Sequence, residues 1–139
     1  MNDHNDKMAL ALQRIRQAED SIADAVFCFE GHRNGIAANR IYYGMYYAML
    51  ALSLIQGFKT SKHQQLIGWF NRNFVHTGVF PKHFTTIVKR AFDARMDADY
   101  EMDQTPSDAD IEALIEEMKV FIEALRDWIS LQRGESDEV

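Results

Sequence analysis

Residues 34–57 read NGIAANRIYYGMYYAMLALSLIQG, and Arg40 is the only charged residue among them. Ile41, Ala48, Leu52 and Ile55 recur at helical steps, while Tyr42, Tyr43, Met45, Tyr46, Tyr47 and Met49 fill the rest of the circumference. A helix that is apolar all round has to be covered on every side, so this stretch predicts a central helix, not a surface one. It starts near Asn34, and Gly57 stops it, since glycine readily takes the left-handed conformation at a helix end. The six bulky residues around the stripe exceed what one small bundle readily covers, which predicts a dimer.

A central helix needs neighbours, and the flanking sequence supplies them. Upstream, Ile15, Ala18, Ile22, Val26 and Phe29 form an apolar stripe over Met8–Phe29, ended by Gly31. Downstream, a shorter helix fits Lys62–Phe74, with Leu66, Trp69, Phe70 and Phe74 on one side, before the turn His76-Thr77-Gly78. Pro81 suits the first turn of a fourth helix that carries Phe84, Ile87, Val88, Ala91 and Phe92 to about Ala98. Residues 102–106, MDQTP, read as a loop. Ser107 then caps a fifth helix that holds Ile111, Leu114, Ile115, Met118, Phe121, Ile122, Leu125, Trp128 and Ile129, with Asp108, Asp110 and Glu112 favourably placed at its positive end. No segment alternates as a strand does. The predicted fold is all-α, an antiparallel up-and-down bundle of about five helices, three of them about 22 to 25 residues long.

At 139 residues the chain is one ordinary domain, with a short polar N-terminal tail, MNDHNDK, and an acidic C-terminal tail, GESDEV. The single cysteine, Cys28, rules out an intramolecular disulfide framework and any multi-cysteine metal site, and points to a reducing, cytoplasmic setting. No signal-like apolar core opens the sequence, and no apolar run approaches the roughly 18 residues that a membrane span needs.

The formal net charge is -6, but its distribution is uneven. From Gly31 to Phe92 there is no Asp or Glu, while Arg33, Arg40, Lys59, Lys62, Arg72, Lys82, Lys89 and Arg90 all fall there, with 11 of the 16 aromatic residues. Cations interleaved with aromatics are what a surface needs to hold phosphates and stack bases. The same composition is satisfied if the basic middle pairs with the acidic ends inside the fold or across a dimer.

Several chemistries are absent from the sequence. There is no Glu-x-x-His pair of the di-iron bundles, no His-Glu-x-x-His, no phosphate-cradling GxxxxGK[ST] loop and no GxGxxG turn, so neither a metal nor a cofactor is expected. Two constellations remain. In the first, Arg40, Tyr43, Gly44 and Tyr47 share one face of the central helix, where a charged group needs a carboxylate or a phosphate as partner, and Gly44 reads as a site of close helix approach. In the second, Arg95 and Asp99 are four apart and can pair along a helix, whereas Arg95 and Tyr100 converge only if the helix ends between them.

With these residues in view, the sequence resembles the HEPN domains of prokaryotes, specifically the small stand-alone branch reading NRxYYAMxxA, then KTxH, then RxxADY. The counterparts are Asn39-Arg40-Ile41-Tyr42-Tyr43-Gly44-Met45-Tyr46-Tyr47-Ala48, Lys59-Thr60-Ser61-Lys62-His63 and Arg95-Met96-Asp97-Ala98-Asp99-Tyr100. The resemblance runs collinearly over about residues 10–130. It implies an antiparallel helical bundle, usually dimeric, often paired with a minimal nucleotidyltransferase in a toxin–antitoxin-like system, and a role in binding a nucleotide or RNA. Many HEPN proteins are metal-independent RNases whose motif is Arg, four to six residues, then His. Here Met45, Tyr46 and Tyr47 stand at those distances from Arg40, and Tyr100 follows Arg95 with four residues between them. A phenol with pKa about 10 is a poor base at neutral pH. The candidate phosphate-binding residues are therefore Arg40, Tyr43, Tyr47, Lys62 and Arg95. If the chain is instead a weak endoribonuclease, His63, Arg95 and Tyr100 are its catalytic candidates. A non-catalytic structural partner subunit is the third reading.

Overall fold

Among the described residues five α-helices follow in order: α1 (Asp3–Glu30), α2 (Asn34–Gln56), α3 (His63–Phe70), α4 (His83–Tyr100) and α5 (Asp108–Asp137). The computed structural model describes the backbone of residues 3–100 and 105–137 and the side chains of residues 3–99 and 105–134. Among the described residues there is no strand, and the all-α bundle expected from the periodicity is the fold observed. α2 is its axis, packing on α1, α4 and α5. Its buried residues, among them Ala37, Ile41, Tyr42, Met45, Ala48, Met49 and Leu52, come from around its circumference. Each large side chain so covered contributes about 1.5–3 kcal/mol of hydrophobic stabilisation.

The bundle closes as tightly as it does because of Gly44. A Cβ there would stand 2.4 Å from Met118 Cε on α5 and 3.1 Å from Ser21 Cβ on α1, so the glycine is where three helices meet. Tyr42, Met45 and Met49 have no exposed surface within the single chain. One bundle therefore covers three of the six bulky side chains, while Tyr43, Tyr46 and Tyr47 stay half-buried.

The helix ends largely follow the local chemistry. Gly57 adopts φ 78° and its N–H reaches back to Leu54 O. Ser107 Oγ accepts the Asp110 N–H at 3.1 Å, the expected cap of α5. Asn34 Nδ2 donates to Pro106 O (3.0 Å) and Asp108 Oδ1 (2.8 Å), tying the start of α2 to the start of α5. At the end of α1 the left-handed residue is His32 (φ 61°), not Gly31.

Two expected boundaries shift. α5 runs on through Gly134 to Asp137, so most of GESDEV continues the helix instead of forming a separate tail. The third helix does not stay α-helical to Phe74 but gives way to a π-helical turn over Asn71–Val75. Its cause is local. Asn73 Nδ2 takes Trp69 O at 2.8 Å, the carbonyl that the Asn73 N–H would use in an α-helix, and the His76 N–H bonds Asn71 O five residues back. Phe74, brought inward there, packs on Phe70, Phe80 and Trp128.

Candidate functional site

Two adjacent stripes of α2, Asn39-Tyr42-Tyr46 and Arg40-Tyr43-Tyr47, face the N-terminus of α3 and the C-terminal half of α4. His63, the first residue of α3, lies against them. Its ring stacks on Tyr46 with centroids 4.2 Å apart, meets Tyr43 edge-on at 5.8 Å, and its Nδ1 is 2.9 Å from the Tyr42 hydroxyl. From α4, the Arg95 guanidinium sits over two rings at once, 5.4 Å from the Tyr42 centroid and 5.2 Å from that of Tyr43. Arg40 approaches Tyr43 at 5.6 Å. The fold thus gathers Arg40, Tyr43, Tyr47, His63 and Arg95, drawn from three helices, into one cluster.

How the charges are satisfied decides what the cluster can do. Arg40 is held by its neighbour Asn39, whose Oδ1 accepts from Nε (3.1 Å) and Nη2 (2.7 Å). Among the described residues no carboxylate pairs with it. Arg95 does pair with Asp99, Nε to Oδ2 at 3.1 Å, but its side chain is only 18% exposed, so this is a partly buried pair laid on aromatic rings and not a surface bridge. Lys62 precedes His63 yet is exposed, outside the ring cluster. α4 continues through Tyr100, so the helix end that would bring Tyr100 toward Arg95 does not occur between them, and the Tyr100 side chain lies outside the described ones.

Tyr42 and Tyr46 are members that the sequence reading did not select. Their only advance signal was four-residue spacing on the stripe beside the chosen one. Burial pushes the Tyr42 phenol up to about 12, against the opposing pull of Arg95. Burial likewise raises Tyr46, helped by Tyr43 and Tyr47. His63 moves down, first because it is half-buried and then because Arg95 is near. At neutral pH the imidazole is therefore uncharged. The buried Tyr42 hydroxyl keeps its proton at neutral pH and shares one hydrogen bond with Nδ1, whose direction follows the imidazole tautomer. When Tyr42 donates, His63 has its N–H at Nε2 to offer a ligand; when Nδ1 donates to Tyr42, Nε2 is the acceptor of the ring.

The basic middle of the chain also resolves. Lys89 pairs with Asp93 and Arg90 with Glu117. Arg33, Arg40, Lys59, Lys62, Arg72 and Lys82 are in no ion pair among the described residues. Internal pairing accounts for two of the eight cations only. A wide cleft of about 830 Å³ opens between α4 and α5, but Asp93, Asp97, Asp110 and Glu117 line it against the single cation Arg90, which suits it poorly to a phosphate. Among the described residues no group of three His, Cys, Asp or Glu side chains could hold a metal ion, and no helix is long and apolar enough to cross a membrane.

Comparison with known proteins agrees with this architecture. Residues 11–128 match the HEPN domain family. A Thermotoga maritima protein named "UPF0332 protein" is 35% identical over 96 residues, covering 69% of this chain and 73% of its own. A Methanocaldococcus jannaschii protein named "Putative toxin" is 28% identical over 112 residues, covering 81% of this chain and 83% of its own. A second protein of that name from the same organism is 24% identical over 126 residues, 88% of this chain and 86% of its own.

Proposed function

This chain belongs to the HEPN family, and on that premise we propose that it is the HEPN component of a toxin–antitoxin-like pair, binding RNA or a nucleotide at the tyrosine, His63 and Arg95 cluster. The observation that carries this reading is the Arg95 guanidinium spread over Tyr42 and Tyr43 beside the imidazole of His63, which stacks on Tyr46. Arginine, an imidazole and tyrosine rings are together the groups that hold a phosphate and stack a base. Arg40 adds a second cation that is in no ion pair among the described residues, and Lys62, next to His63 in sequence, is exposed. Binding suits the cluster better than strong RNA cleavage, because cleavage at a 2′-OH needs both a general base and a general acid, and the Tyr42 bond occupies one of the two ring nitrogens of His63.

The same proposal includes a homodimer and a nucleotidyltransferase partner in the cytoplasm. Phe27 (78% exposed) and Ile36 (53% exposed), on either side of the α1–α2 turn, support a protein-covered surface there. Light scattering at micromolar concentration tests the dimer, and only monomer would remove it.

The binding test is a titration of a short RNA by fluorescence anisotropy at low and at moderate salt. Binding that weakens as salt rises is expected, since each neutralised phosphate releases counterions. No binding at low salt, or binding indifferent to salt, would sink the ligand reading. Expression of the chain alone and with its neighbouring gene product, scored for growth arrest and RNA integrity, tests the pairing.

A further inference from the structure

Away from the tyrosine cluster, one groove combines a flat aromatic ring, carboxamides and an unopposed cation. It runs beside α3, has a volume of about 570 Å³, and is lined by Phe58, Gln64, Gln65, Gly68 and Arg72. That volume falls within the roughly 300–1,000 Å³ of small-ligand sites. Gln64, Gly68 and Arg72 follow at four-residue steps, a stripe apart from the one on which Leu66 and Phe70 are buried.

Each lining group is set up locally. The Phe58 ring lies flat on Trp69, centroids 5.2 Å apart and planes 6° from parallel, so its orientation is fixed from one side. Thr60 Oγ1 bonds Gln65 Oε1 at 2.6 Å, which leaves the Gln65 Nε2 group to donate elsewhere. The Gln64 side chain is exposed. A Cβ at Gly68 would stand 3.3 Å from Arg72 Nη1, so the missing side chain gives the guanidinium room to lie across the helix. No carboxylate lines the groove, and Arg72 is in no ion pair among the described residues. The π-helical turn Asn71–Val75, a distortion that recurs at functional sites, carries Arg72 at its start.

We propose that this groove is a second ligand site that takes a nucleotide, with the base on Phe58 and the glutamine carboxamides and the phosphate on Arg72. The carboxamides offer the donor and acceptor that a base edge requires, the ring offers the stacking face, and the guanidinium offers the bidentate anion contact. The nucleotide is either free or one unit of a single strand. The proposal does not rest on the tyrosine cluster.

The test is amide NMR of the full chain titrated with AMP and, separately, with a hexa-adenylate. The expected result is a set of shifts at the Gln64 and Gln65 side-chain amides and at Gly68, with affinity lowered about tenfold by Arg72→Gln, the loss of one charge-assisted contact. Gly68→Ala, which improves helix propensity and so keeps α3 formed, also weakens binding by crowding Arg72. Hexa-adenylate binding more tightly than AMP assigns the groove to a strand, and equal affinity assigns it to a free nucleotide. Arg95→Gln alters RNA binding at the tyrosine cluster without moving the AMP shifts, which separates failure of one site from failure of the other. Absence of shifts at Gln64, Gln65 and Gly68 with both probes overturns the proposal, as do shifts that neither variant weakens. So does inorganic phosphate reproducing the whole pattern, or a polyglutamate peptide binding where AMP does not.

Discussion

The molecule holds two aromatic clusters built to similar spacings from different chemistry. Phe70, Phe74, Phe80, Phe84 and Phe121 pack with centroids 5.2–6.0 Å apart, and every one of them is buried. Tyr42, Tyr43, Tyr46, Tyr47 and His63 pack at 4.2–6.5 Å, but of these only Tyr42 is fully covered. Ring geometry is common to both, so it does not distinguish scaffold from site. What differs is the polar load: the phenylalanines carry none, whereas the tyrosines bring hydroxyls, an imidazole and two guanidinium groups. Placing such groups at a half-buried surface costs desolvation that a phenylalanine would avoid, which makes the second cluster the one whose residue types ask for a ligand.

The largest effect expected from this contrast is at Phe84. Phe84→Ala removes a ring that is 2% exposed and should cost about 3–5 kcal/mol, read as a fall in the urea midpoint, while RNA binding by the molecules still folded is unchanged. A loss below about 1 kcal/mol would mean that the phenylalanine cluster is not the scaffold.

Arg95→Gln should reverse the pattern. RNA affinity falls about tenfold or more, whereas stability falls by only about 1–2 kcal/mol, because two cation–π contacts and one partly exposed ion pair are lost. Unchanged affinity in this variant would remove Arg95 from the site and with it the difference between the clusters.

The pH dependence is smaller and has a definite sign. The folded-state pKa of His63 is lowered, so between it and the unfolded value of about 6.5 the unfolded chain binds more protons. The contribution is present above about pH 6.5 and is lost as the pH falls through the folded value. Tyr42 is raised to about 12, so its contribution is present below about pH 10 and disappears as the pH climbs through the folded value. Urea midpoints across both windows should show the two losses, with His63→Asn flattening the acid one and Tyr42→Phe the alkaline one. Tyr42→Phe also removes the bond to His63 Nδ1, at a cost of about 1 kcal/mol at neutral pH. Identical pH profiles in wild type and variants would count against the linked pair.

Lys62→Ala should do least. The side chain is exposed and in no ion pair among the described residues, so stability stays within about 0.5 kcal/mol, while the salt dependence of RNA binding becomes shallower by about one ion if Lys62 contacts a phosphate. An unchanged slope would place Lys62 outside the binding surface.

Local chemistry determined much of this protein without any structure. With Arg40 its only charge, α2 had to lie at the centre of the bundle; Gly57 and Ser107 could be read as a stop and a cap; Gly44 could be read as a close approach; and the acid-free middle of the chain was visible as a run of letters. These features depend on neighbours within a turn or two, which sequence spacing reports directly.

Only the tertiary structure decided how elements distant in sequence meet. Periodicity shows which residues of one helix share a face, but not how that face is turned toward helices elsewhere in the chain. That is why Tyr42 and Tyr46 were passed over for the neighbouring stripe, and why no spacing showed that His63 stacks into the cluster. It is also why spacing could not show that Arg40 rests on Asn39, or that Lys89 and Arg90 are the members of the basic run that find acidic partners among the described residues. An ion pair or a ring stack needs atoms brought within a few ångströms, and such meetings are set by the packing of whole helices around α2, which no local spacing encodes.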